Sequence, residues 1–333
     1  MEIKFNIKNT TGIITLARPK ALNALNLDMV LQLSKKLKEW EKDNKVVRVL
    51  LQGEGKHFCA GGDVKSVHLS GQFSDLKKKF FLLEYALNFQ INNFSKPYMS
   101  IWKGVVMGGG VGLSIYGDYR IATESTKFAM PETSIGFFPD VGGSFFLSRL
   151  ENNIGKYIGL TGEMLHSADL LNLKLATHYC PEDKLDNLIN EYIFDGSVKN
   201  YGSTLSPSLF SDDKKEFIQN NFSGDIHHIY KKIKEQKENS LILEKLANKC
   251  PMSLAVTAML IEISKKENLS NCLKLEYNLS QKMTSRSDFA EGIEAVLIKK
   301  HHKPNWQPNS IKEINSNELD SLFFSQKNNE LIL

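Results

Sequence analysis

Several things are scarce in this 333-residue chain, and each scarcity removes a class of protein. Its four cysteines, Cys59, Cys180, Cys250 and Cys272, are dispersed and form no CxxC pair. Neither a disulfide framework nor a thiolate metal site is therefore indicated, and the thiols read as reduced. The pairs His227-His228 and His301-His302 are adjacent in sequence. Adjacent residues project in different directions on a helix, so they make poor metal clusters without nearby carboxylates or thiols, and no metal site is expected. No long block of lysine or arginine occurs, and 42 basic against 38 acidic residues leave a net charge of only +4. That balance gives no electrostatic footprint for nucleic acid. The densest basic tract, Lys77-Lys78-Lys79, reads as a solvated helix face or as a local rim for an anionic small molecule.

Long apolar runs are also missing from the N-terminal stretch MEIKFNIKNTTGIITLARPK, which reads as neither signal peptide nor membrane anchor. Glu2 and the strand-like alternation also argue against a transit peptide. The expectation is a cytoplasmic protein with no membrane partner, or a mitochondrial-matrix protein if the source is eukaryotic and a leader is missing. Apolar residues at 41% and charged residues at 24% are ordinary globular usage, so neither disorder nor a fibrous repeat is expected. The length suits one large core with an appended helical region.

What is present begins with alternation of strands and helices. Gly12 to Ala17 is a short β-branched run. The segment from Asn26 opens a helix whose Val30, Leu33, Leu37 and Trp40 share one face, and Val46 to Gln52 reads as a buried strand. Strand, helix, strand in this order predicts a right-handed crossover and an α/β core. The pattern continues with a helix over Leu76 to Ile91, a strand over Tyr98 to Trp102, a short helix over Val111 to Tyr116, and strands over Tyr119 to Ala122 and Lys127 to Met130. Residues 151 to 200 alternate short helices with turns. Residues 201–213 are rich in turn formers and predict a boundary, and from Lys214 to about Ser287 the pattern is helical.

Two glycine loops each come directly after a predicted strand. In His57 to Val64, HFCAGGDV, the run Ala60-Gly61-Gly62 allows a tight turn exposing successive N–H groups, and Asp63 can cap the segment beyond it. In Met107 to Gly112, MGGGVG, three consecutive glycines stand at a helix start. Each costs roughly 1 kcal/mol against alanine inside a helix, and close approach of a ligand would explain them. Together the loops suggest two N–H donors converging on one oxygen, as an oxyanion requires. Glu132 and Asp140 lie further along, eight residues apart, and supply an acid or base. On the helix Leu76 to Ile91, Glu84 shares a face with Phe80, Leu87 and Ile91, so it lies either at the edge of that stripe or along a pocket wall.

The segments HFCAGGDV, GVVMGGGVGLSIYGDYRIAT and FAMPETSIGFFPDVGGSFFLSRL resemble the crotonase (enoyl-CoA hydratase/isomerase) superfamily, and within it the branch that hydrolyses 3-hydroxyisobutyryl-CoA. The likeness extends through CPMSLAVT, LEYNLSQ, SDFAEGIEAVLIKK and PNWQP. It implies an α/β fold, a crotonase-like spiral of repeated ββα units with a helical C-terminal region. Residues 1–200 would form the core, 201–213 the boundary, and 214–333 a helical region completing the acyl pocket.

Carried over by position, the resemblance implies an oxyanion hole from the backbone N–H groups of Gly62 and Gly109. It makes Glu132 the catalytic glutamate, Asp140 the second acid and Glu84 a substrate contact. Lys20 and Ala60 would touch coenzyme A, on the phosphate side and at the adenine respectively. Coenzyme A is then part of the substrate, and no separate cofactor is expected. Hydratases of the superfamily carry a further glutamate where this chain has Gly112, and a glycine where it has Asp140. The departure points from water addition towards thioester hydrolysis, most readily of 3-hydroxyisobutyryl-CoA in valine breakdown. An enoyl-CoA hydratase or isomerase, and a non-catalytic acyl-CoA or RNA-binding relative, are the alternatives. Members often form trimers, so a homo-oligomer is a further possibility.

Overall fold

The computed structural model describes residues 1–71, 74–201, 207–236, 240–324 and 330–333. The β-branched run near the N-terminus forms strand β2 (Thr11–Leu16), and the alternating residues before it form β1 (Ile3–Lys8). These two pair antiparallel across a turn in which Asn9 takes φ +54°, a left-handed value that asparagine tolerates better than most residues. β3 (Arg48–Gly53) adds parallel to β2, with Thr11 opposite Arg48 and Leu16 opposite Gly53. β4 (Tyr98–Trp102), β6 (Tyr119–Ala122) and β8 (His178–Tyr179) continue the sheet in parallel, giving the order β1-β2-β3-β4-β6-β8. The helix between β2 and β3, Leu27–Lys42, is capped by the Asn26 side chain accepting from Met29 N, and it buries Val30, Leu33, Leu37 and Trp40 as the spacing predicts.

A second ladder accompanies the first. β5 (Val105–Met107) pairs parallel with β7 (Lys127–Ala129), and single bridges join Leu25 to Gly62, Cys59 to Val106 and Phe128 to Leu165. Successive passes of the chain thus lay one strand in the main sheet and a shorter one in this ladder: β3 then 59–62, β4 then β5, β6 then β7. This is the repeated, spiralling α/β arrangement expected. The two-residue strand β8 escapes the sequence because so short a segment shows no periodicity. Against the main sheet, Leu188 and Tyr192 of the helix Leu185–Asp195 pack on Leu50, Met99, Ile101 and Ile121.

By contacts the chain divides into two compact units. One comprises residues 1–63, 86–129 and 164–209 and contains every strand described above; the other comprises 64–85, 130–163 and 210–333. The expected helical region 214–333 falls wholly within the second, but that unit also claims two earlier segments, so a single cut at 201–213 does not describe the division. Residues 202–206 of that turn-rich stretch lie outside the described residues. In the second unit, Pro251–Ser264 is buried nearly all round and serves as its central helix. Among the described residues no single helix is long and apolar enough to cross a membrane.

Candidate active site

In the strand-rich unit, backbone pairing draws the two glycine loops together. Cys59 N donates to Val105 O and Met107 N to Cys59 O, both at 3.0 Å, so the first loop lies alongside β5. The triple glycine then has a separate account for each residue. Gly108 sits at φ +47°, ψ −122°, which side-chain-bearing residues avoid. Gly110 packs so closely that a Cβ there would lie 2.5 Å from Cys59 O. Gly109 opens the helix Gly109–Gly112, so its N–H belongs to the turn whose donors have no partner within the helix. The helix begins at Gly109 and ends by Gly112, earlier than the predicted Val111 to Tyr116, because Gly108 supplies its cap. On the other loop Gly61 takes φ +114°, and a Cβ on it would come 3.5 Å from Gly109 N. Gly61, the residue before Gly62, thus lies close to the start of the second glycine loop at Gly109.

The segments that carry Lys20 and Ala60 also meet. Ala60 N donates to Leu22 O, and Asn23 Nδ2 donates to Glu54 O and His57 O, pinning the turn that carries Lys20 against the first loop. Asp63 pairs with Arg18 at 3.0 Å and reinforces the same junction. Lys20 itself is exposed and Ala60 half-buried.

The helical unit gathers the acids. Glu84 is 2% exposed, Glu132 6% and Asp140 5%. Charged carboxylates are seldom buried this deeply without partners. The Tyr85 hydroxyl donates to Asp140 Oδ2 at 2.7 Å, while Glu84 Oε1 and Glu132 Oε2 have no hydrogen-bond partner among the described residues. Burial raises all three carboxyls. Asp140 rises to about 7, held from going further by the Tyr85 hydrogen bond and its own backbone. Glu84 and Glu132 rise well above the usual carboxylate range, first through burial and then through the neighbouring Asp140. Lys249, whose Nζ donates to Ser134 Oγ at 2.7 Å, pulls Glu132 back towards the charged form. Groups so shifted at neutral pH are suited to proton transfer.

Local structure explains how the acids are aimed. Glu132 begins the single turn Glu132–Ile135, which ends at left-handed Gly136. A Cβ on Gly136 would meet Asp288 O at 2.4 Å, so the later segment Ser287–Gly292 packs directly on that turn. Asp140 starts a tight turn in which Gly143 N donates to Asp140 O at 2.7 Å, with Val141 at φ +55° and Gly142 at φ +79°. Both central residues at positive φ is the type I′ arrangement, and a β-branched residue there costs on the order of 1–3 kcal/mol. Phe81, Phe137 and Phe138 stack in sequence behind these residues, at ring separations of 5.3 and 4.5 Å, and Phe81 also meets the Tyr85 ring. Tyr85, Lys249 and this aromatic wall carry no signature of their own in the sequence.

Among the described residues no group of three or more histidine, cysteine, aspartate or glutamate side chains could hold a metal ion. The strand-rich unit offers backbone donors, and the helical unit offers buried carboxyls whose pKa values burial raises.

Residues 11–323 match the family described as enoyl-CoA hydratase/isomerase. The chain is 39% identical to the mitochondrial 3-hydroxyisobutyryl-CoA hydrolase of Xenopus laevis, over 97% of its length and 88% of the relative's. It is 37% identical to that of Homo sapiens, over 99% and 90% respectively. Among solved structures, an enoyl-CoA hydratase from Rhodobacter sphaeroides 2.4.1 superposes with a TM-score of 0.91 at 30% identity, covering 97% of both chains. A carnitinyl-CoA dehydratase from Mycobacterium thermoresistibile superposes with a TM-score of 0.90 at 33% identity, covering 99% of this chain and 98% of its own. The chain belongs to the enoyl-CoA hydratase/isomerase family.

Proposed function

We infer that the protein hydrolyses 3-hydroxyisobutyryl-CoA to 3-hydroxyisobutyrate and coenzyme A, an acyl-CoA thioester hydrolase of valine catabolism. The observation that carries this reading is near full-length likeness to proteins named for that reaction. Local chemistry supports it: position 112 is glycine, so the carboxylate that a water-adding member uses there is missing, while Asp140 supplies an acid that such members lack.

In this reading the backbone N–H groups of Gly62 and Gly109 receive the thioester oxygen as it gains charge, each donor contributing roughly 3 kcal/mol in the transition state. Glu132 acts at the carbonyl carbon, by direct attack or by activating water, and its unpartnered Oε2 leaves an oxygen available for either. Asp140, near pKa 7, holds the substrate's 3-hydroxyl and passes a proton to the departing thiolate. Glu84 contacts the acyl group, while Lys20 and Ala60 meet the coenzyme A portion. Coenzyme A enters only as part of the substrate. The hydrolase relatives are named mitochondrial, which supports the organellar alternative to a cytoplasmic location.

The names of the two solved structures favour a second reading, a hydratase or dehydratase. One assay separates them. Purified protein is given 3-hydroxyisobutyryl-CoA and, separately, an enoyl-CoA; release of free thiol from the first with no change in enoyl absorbance in the second is expected. Enoyl absorbance loss without thiol release would overturn the hydrolase reading.

A further inference from the structure

Glu276 lies on the helix Leu269–Met283, on the face that also buries Cys272, Leu273, Tyr277, Ser280 and Met283. Its carboxyl is completely buried, and among the described residues it forms no ion pair. Instead Oε2 accepts from Gly142 N at 2.7 Å, and Oε1 accepts from Ser144 N at 3.0 Å and from Ser144 Oγ at 2.5 Å. The helix Gly143–Leu147 has Gly142 at its N-cap position, which has no side chain to satisfy the first N–H groups. Glu276 supplies that missing oxygen from a distant part of the chain.

The segment it grips is the turn that presents Asp140. Gly142 is a central residue of the turn and Ser144 lies just beyond its end, while the other central residue, Val141, holds a left-handed conformation that valine resists. A turn of this kind would ordinarily carry asparagine or glycine at the first central position. With valine there, something outside the turn must hold it. The direction of the Asp140 Cα–Cβ bond, and so the meeting of its carboxyl with the Tyr85 hydroxyl at 2.7 Å, is set by that backbone.

We propose that Glu276 is a positioning residue for Asp140: it clamps the strained 140–143 turn through the amides of Gly142 and Ser144, and so holds the Asp140 carboxyl in its working direction. Glu276 has no contact with reacting atoms in this account. Burial and, less strongly, the neighbouring Asp140 push its own carboxyl up to about 8, while the Ser144 hydroxyl and the two backbone donors pull it back. A surface-facing or apolar residue at position 276 would leave Gly142 N and Ser144 N buried without an acceptor.

The kinetic part of the proposal rests on the hydrolase reading above; the structural part does not. In Glu276→Gln, one oxygen that accepts an amide is replaced by an NH2 that cannot. Thiol release should fall roughly 10- to 100-fold in kcat, as for a displaced catalytic group, with KM changed by less than about threefold. Adding Val141→Gly should recover much of that loss, because glycine takes the turn's conformation without a clamp. A crystal structure of Glu276→Gln should show the Tyr85–Asp140 separation lengthened beyond hydrogen-bonding distance, roughly 3.2 Å. If wild type releases no thiol, the hydrolase reading fails and the crystal measurement alone tests the clamp. An unchanged kcat for folded Glu276→Gln, no recovery in the double variant, or an unmoved Asp140 overturns the proposal. Should Glu276→Gln not fold, Glu276→Asp, which keeps the charge on a shorter stem, is read by the same three measurements.

Discussion

Tyr85 Oη donates to Asp140 Oδ2 at 2.7 Å with both side chains buried. The carboxyl that burial drives towards neutrality is thus given one donor, which stabilises its charged form and leaves it near 7. Asp140 is therefore balanced between its two protonation states at physiological pH, a condition for both accepting and delivering a proton.

Tyr85→Phe removes that donor without removing the ring. The Asp140 carboxyl then loses a hydrogen bond to its charged form, so its pKa must rise above about 7. Because Asp140 delivers its proton to the departing thiolate it must start protonated, so the alkaline limb of the kcat profile moves to higher pH and kcat above about pH 7 rises. Steady-state rates from pH 5.5 to 9, to be measured at about half-unit steps, check the direction. A limb that stays in place or moves to lower pH contradicts it.

Asp140→Asn tests linkage as well as catalysis. The folded carboxyl titrates near 7 against 3.8 for the ordinary group. In the unfolded chain it ionises first, so its contribution to stability is fully present below about pH 4 and is lost as pH rises through 7. Asparagine does not titrate, so the variant should gain on wild type across that window, by about 2–4 kcal/mol at pH 8, while hydrolysis drops by at least roughly 100-fold. Denaturant melts at pH 4 and pH 8 read the first, thiol release the second. Equal stability differences at the two pH values would deny the raised pKa, and wild-type hydrolysis would remove Asp140 from the chemistry.

Gly110→Ala places a methyl group 2.5 Å from Cys59 O, a backbone atom that can yield only by parting the two glycine loops. Overpacking of this sort costs about 1–3 kcal/mol. Displacing one oxyanion donor lowers kcat about 100- to 1000-fold. The expected pattern is a modest loss of melting temperature with a large loss of kcat. A variant that melts early but turns over normally would show that the loops need not be this close.

Glu132 can act by forming a mixed anhydride or by activating water. Single turnover in oxygen-18 water tests the first, since hydrolysis of the anhydride by attack at the Glu132 carbonyl leaves label in the Glu132 carboxyl whereas general-base catalysis sends it only to the product acid. Mass spectrometry of the peptide carrying Glu132 reads the result. Label in the Glu132 peptide supports direct attack, and its absence excludes that route.

Much of this was legible in the residues themselves. Glu132 and Asp140 stood out as paired acids, and Glu84 as a carboxylate within an apolar helical stripe. The four-glycine segment was read as allowing close approach of a ligand; the structure accounts for Gly108 by its positive φ and for Gly110 by its packing against Cys59 O. Other features were hidden for identifiable reasons. Strand β8 has two residues, too few for a period to show. Tyr85 reads as one more aromatic among Phe80 and Phe81 until its hydroxyl is seen to reach Asp140. Glu276 appeared in the sequence only as one residue of the segment LEYNLSQ, with nothing nearby to say what it served.

The difference lies in the range over which each interaction acts. Helix faces, strand alternation and glycine-dependent turns are set by neighbours within a few residues, so the sequence alone determined the α/β pattern and the candidate loops and acids. The hydrogen bonds from Tyr85 to Asp140, 55 positions apart, and from Gly142 to Glu276, 134 positions apart, depend on which helices pack together. Only the tertiary structure decided those, because burial there removes water as a competing partner and makes each buried polar group answer to whatever the fold places beside it.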